Sequence, residues 1–169
     1  MAILEILEYP DGLLCKPTLP VTDINGDLQQ KIDDMAQTMY EAPGVGLAAS
    51  QVGINQCFLV YDVSPRDDKR SLHVLINPRI VCQEGEILSE NEGCLSVPDY
   101  RSDVVRFSQI QVDGVDRDGK PLSLAAEGYL AIVLQHEIDH LQGVLFIDRI
   151  SALKRNLYKK RIKKRLKQP

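Results

Sequence analysis

Leu28, Ile32, Met35 and Met39 recur at steps of three and four residues, which predicts an amphipathic helix over residues 27–41. Pro43-Gly44 ends it. The pattern then changes to short apolar runs. Residues 57–63 and 74–76 read as strands, 79–82 follows as another, and 110–115 alternates with period two. Asp118-Gly119 predicts a tight hairpin turn from that strand into 121–124. Helical spacing returns over 127–141. Further on, Ile150, Leu153 and Leu157 form one apolar strip, and Tyr158, Ile162 and Leu166 recur every four residues on a drifting face. Together they predict a last amphipathic helix over about 151–167. Helices separated by clusters of strands indicate an α+β fold, with antiparallel or mixed sheets and a helix towards each end.

Composition narrows this to one soluble domain. A chain of 169 residues is expected to form a single domain, 1–169, with a core that needs no disulfide staples. Hydrophobic residues at 44% and charged residues at 26% are globular values, and no apolar run approaches the roughly 20 residues of a membrane span. The N-terminal stretch has early acidic residues, Glu5 and Glu8, and no basic start, so a cytoplasmic location, or a mature form already processed, is expected. Cys15, Cys57, Cys82 and Cys94 show no close pairing, and Cys57 and Cys82 fall in apolar runs where a free thiol packs as a small hydrophobe. The net charge of −4 is unevenly distributed. Nine of the 20 Lys and Arg lie between Lys154 and Lys167 with no acid among them, leaving 11 basic residues against 24 acidic ones. That tail fits either a solvated helix balancing an acidic body or a surface for phosphate contact.

His136-Glu137-Ile138-Asp139-His140 lies in the second predicted helix and changes the picture most. Residues i and i+4 project the same way, so two imidazoles meet one divalent metal while Glu137 reaches towards a water. Catalytic sites of this type usually take a third protein ligand. Phe146 occupies the place of the third histidine of metzincins, and no Glu follows Glu137, so the third ligand is expected upstream. His73 begins an apolar run and reads as a strand edge. Cys94, between Gly93 and Pro98, is the better candidate.

Three segments carry a specific resemblance: Gly44-Val45-Gly46-Leu47-Ala48-Ala49-Ser50-Gln51, Glu92-Gly93-Cys94-Leu95-Ser96, and Gln135-His136-Glu137-Ile138-Asp139-His140. In content, order and spacing they resemble the signature motifs of the peptide deformylases, and the similarity runs along essentially the whole chain. Ser50, where Thr is common, and Asn91 are small variations. The resemblance implies a metal site of Cys94, His136 and His140, holding Fe(II) in bacteria, although these ligand types also accept Zn, Ni and Co. It implies Glu137 as the proton-transfer group and Gln51 with the Leu95 N–H as the oxyanion hole. The implied substrate is an N-formyl-methionyl nascent peptide and the implied second product is formate. Gly44 and Gly46 would admit the peptide backbone, Val45, Ile132 and Val133 would line the methionine pocket, and Arg101 would contact the peptide. Glu92 and Asp139 are expected to orient the ligands. The basic C-terminal helix would dock on the ribosome, through its RNA or beside it, with no membrane partner and the chain acting as a monomer. Two other readings compete: a metalloendopeptidase, and a ribosome-associated binding protein without activity. The second would be expected to lack one of Cys94, Glu137, Gln51 or the histidines.

Overall fold

The computed structural model describes residues 1–169. In chain order the elements are α1 (Gly26–Glu41), β1 (Gly46–Ala48), β2 (Phe58–Tyr61), β3 (His73–Glu84), β4 (Ile87–Cys94), β5 (Val97–Arg106), β6 (Gln109–Val115), β7 (Pro121–Glu127), α2 (Gly128–Leu141) and α3 (Ala152–Leu166). The strands form a five-stranded sheet in the order β1-β2-β3-β6-β7 and a separate β4-β5 hairpin, every pairing antiparallel. The α+β reading holds.

The large sheet is covered on both faces. Leu28, Ile32, Met35 and Met39 of α1 pack with Leu47, Phe58, Val60, Val74 and Ile76 on one side. Ala131, Leu134, Ile138 and Leu141 of α2 pack with Ala48, Leu59, Leu75, Ile110 and Val112 on the other. Alternate residues of β2 therefore serve opposite cores, which is why its sequence is a continuous apolar run. A third cluster joins Val97 and Val104 of β5 to Phe146, Ile147, Tyr158 and Ile162, seating α3 against the hairpin. Asn25 caps α1 by accepting from the Leu28 N–H at 3.0 Å, and the Ser151 hydroxyl caps α3. In the β6–β7 turn Gly119 adopts φ 83°, and the Asp116 carboxylate accepts from the N–H groups of Asp118 and Lys120.

Four expectations need correction. Residues 74–76 and 79–82 belong to one strand, β3, whose register with β6 shifts between Ile76 and Arg79. Strands β1, β4 and β5 were not predicted. Cys82 is exposed rather than packed. On α3 the buried face is Tyr158 and Ile162, whereas Leu153, Leu157 and Leu166 are exposed. No helix is long and apolar enough to cross a membrane.

Candidate metal centre and active site

Helix α2 is apolar enough to be buried on most of its circumference, and this takes its polar residues into the interior. The Nε2 atoms of His136 and His140 lie 3.2 Å apart on one face. Strand β4 ends at Cys94, opposite Val97 across the hairpin, and its Sγ lies 3.2 Å from His140 Nε2. The three ligand atoms all fall within 4.8 Å of one another. Sulfur is an acceptor here: it receives the Ser96 N–H at 3.4 Å and the Gln51 amide at 3.7 Å. Burial and the neighbouring His136 push His140 well below its ordinary pKa, which keeps its ring neutral. Burial also lowers His136, yet contacts with Cys94 and Glu92 outweigh it and raise that ring well above its usual value. Two imidazoles and a sulfur whose ligand atoms converge within 4.8 Å fit a divalent cation.

Behind His136 lies a chain of buried charges. Glu92 Oε1 is 2.7 Å from His136 Nδ1, where it accepts that N–H, and the other ring nitrogen, Nε2, is turned towards His140. Burial alone would raise Glu92, but hydrogen bonds from Arg106 and His136 prevail and hold it at about 2. Arg106, 2% exposed at its side chain, grips Glu92 with two nitrogens and reaches Asp139 at 3.1 Å. The Asp139 expectation is therefore corrected. Asp139 touches Arg106 and Arg149, not a histidine ring, because its place on α2 turns it away from the donors.

Glu137 lies beside His136 and against β1. A Cβ on Gly46 would stand 2.7 Å from Glu137 Oε1, so only glycine admits the carboxylate there. Oε2 of Glu137 is buried without a hydrogen-bond partner. Burial pushes its pKa up to about 7, with His136 and Arg106 opposing the rise. A carboxyl poised near neutrality exchanges protons in both directions. The Gln51 Oε1 accepts the Ala48 N–H at 3.0 Å, which turns its NH₂ towards Ser96 Oγ at 3.2 Å and Cys94.

Beside these groups opens a cavity of about 930 Å³. Gly44, Val45, Gly46, Gln51, Leu95, Arg101, Ile132 and Val133 all line it, together with Cys94, His136 and Glu137. Val133 is buried, Ile132 half-buried, and Val45 and Arg101 stand exposed at the rim. Arg101 spends one N–H on the Asn91 carbonyl at 3.2 Å. His73 lies elsewhere, stacked on Tyr61 at 5.0 Å. Sequence reasoning missed Ser96, Arg106 and Arg149. Arg106 carried a usable signal: it shares the period-two face of β5 with the buried Ser102 and Val104.

The polypeptide deformylase family model matches residues 3–156. A peptide deformylase of Desulfosudis oleivorans is 55% identical over 168 residues, covering 99% of this chain and 97% of that protein. Among solved structures, a peptide deformylase from Legionella pneumophila is 44% identical with a TM-score of 0.89, covering 99% of this chain and 100% of that one. One from Ehrlichia chaffeensis in complex with actinonin is 35% identical with a TM-score of 0.91, at the same coverages.

Proposed function

This chain belongs to the polypeptide deformylase family, and on that premise we propose that it hydrolyses the formyl group from the N-terminal formyl-methionine of new polypeptides, releasing formate. The observation that carries the residue assignment is the meeting of Cys94 Sγ with the Nε2 atoms of His136 and His140, beside a cavity that Cys94, His136 and Glu137 line. Cys94, His136 and His140 would hold one divalent metal ion. When bound, that ion supplies Lewis acidity, acidifying a water and polarising a carbonyl oxygen. The donor set accepts Fe(II), Zn, Ni and Co, and the family likeness favours Fe(II).

Glu137 takes the proton from the attacking water and returns it to the departing amine, so water and formamide give formate and a free amino terminus. The Gln51 NH₂ and the Leu95 N–H oppose the charge that grows on the formyl oxygen. Donors of this kind are each worth about 3 to 4 kcal/mol at the transition state. Val45, Ile132 and Val133 take the methionine side chain, Gly44 and Gly46 leave room for the peptide backbone, and Arg101 reaches it from the rim. Residues 1–169 act as one domain and as a monomer in the bacterial cytoplasm. The basic face of α3 docks on the ribosome, where the substrate emerges.

The test is formate release from formyl-Met-Ala-Ser by anaerobically purified protein, beside the acetylated and free peptides. The reading predicts turnover of the formylated peptide alone. Internal cleavage would favour an endopeptidase, and no turnover at full metal content would favour an inactive binding protein.

A further inference from the structure

We propose that Arg149 is a positioning residue for the metal centre, acting through Asp139, Arg106 and Glu92 on the ring of His136. The proposal rests on the metal assignment above. Arg149 follows α2 in a 3-10 turn, Phe146–Arg149, and sends both Nε and Nη2 to Asp139, the latter at 2.7 Å. Asp139 Oδ2 meets Arg106 Nη1 at 3.1 Å, Arg106 Nε meets Glu92 Oε2 at 2.9 Å, and Glu92 Oε1 meets His136 Nδ1 at 2.7 Å. Charges alternate along this path from the surface to the ligand. The side chains of Arg106, Glu92 and Asp139 are 2%, 6% and 8% exposed, whereas Arg149 is 45% exposed.

Charge balance gives Arg149 its role. Without it, two buried carboxylates would share the single guanidinium of Arg106, and a buried carboxylate short of a cation is strongly unfavourable. Asp139 would then draw Arg106 away from its two-point grip on Glu92. That planar grip fixes the plane of the Glu92 carboxylate and hence the direction of the His136 N–H. With Arg149 present, two acids and two bases close, and Arg106 faces Glu92 undisturbed. The competing explanation is that Arg149 only pins its own turn to α2, which would affect stability and leave the metal untouched.

Wild type, Arg149→Met and Arg149→Lys are loaded anaerobically with Co(II). Its visible bands are recorded, its loss to excess EDTA is timed, and the metal-free proteins are melted separately. Groups that orient a ligand typically change metal affinity by about 10- to 100-fold, and the end of a relay belongs near the lower figure. The proposal predicts Co(II) loss about 10-fold faster in Arg149→Met, with shifted bands, and an intermediate rate in Arg149→Lys, which keeps the charge without the fork. Unchanged bands and an unchanged release rate in Arg149→Met overturn it, even if the melting temperature falls. If that variant does not fold, Arg149→Gln is read by the same two criteria. Failure of wild type to take up Co(II) would overturn the metal assignment itself, before any variant is compared.

Discussion

Gly46 and Glu137 define how little tolerance the site has. Adding one methyl at residue 46 places it 2.7 to 2.9 Å from three atoms of Glu137, so the carboxylate must shift from its place to admit it. Gly46→Ala is therefore expected to lower kcat about 100-fold, the usual consequence of misplacing a reacting group by about 1 Å. The overpacking should also cost about 1 to 3 kcal/mol in urea unfolding. A second residue makes a pH prediction. Burial pushes Asp62 upwards, but hydrogen bonds from Ser64, Tyr40 and Ser71 outweigh it and hold the carboxyl at about 2, against 3.8 for an ordinary aspartate. A depressed folded value stabilises the protein above about pH 4, and the contribution disappears as pH falls towards 2. The advantage of the metal-free wild type over Asp62→Asn in urea midpoint should accordingly be full at pH 6 and shrink by pH 2.5. A constant difference would contradict that assignment.

Helices α1 and α2 were legible in the sequence because the apolar residues that each packs against a sheet face keep the 3.6-residue spacing, although α2 is buried on further faces as well. Strands β4 and β5 were not, for a physical reason. The buried positions of β4 are Ser89 and Glu92, and β5 buries Ser102 and Arg106 alongside Val97 and Val104, so polar groups, Glu92 and Arg106 paired with one another among them, share the inward face. A hydrophobic pattern cannot register an inward position filled by an ion pair. This disguised Arg106, whereas Arg149 stands exposed in a turn where no burial pattern applies; the ligand candidates stood out through the histidine spacing and the motif around Cys94. On α3 two apolar strips compete, and only contact with β5 and Phe146 selects Tyr158 and Ile162. Ile162→Ala should cost about 2 to 5 kcal/mol by thermal or urea unfolding. The exposed Leu157→Ala should stay within about 0.5 kcal/mol. Reversed effects would mean that the helix docks through its other face.

At the scale of the whole molecule, charge is partitioned: the basic residues from Lys154 to Lys167 sit on or directly after α3, where Arg165 pairs with Asp99 of β5. Ribosome docking through this face predicts binding that weakens steeply with added salt. Replacing Lys159, Lys160, Lys163 and Lys164 by Glu should abolish that binding in sedimentation while leaving formate release from a short peptide unchanged, since all four are exposed and none lines the cavity. Docking that is insensitive to both changes would move the contact elsewhere. The proposed chemistry is narrower: Glu137 would move the proton at a metal held by Cys94, His136 and His140. Its most direct test measures formate release and metal content together in wild type and Glu137→Gln. The account predicts equal metal content and a rate lower by about 10²- to 10⁴-fold in the variant. Wild-type rates in a fully loaded Glu137→Gln protein would contradict it.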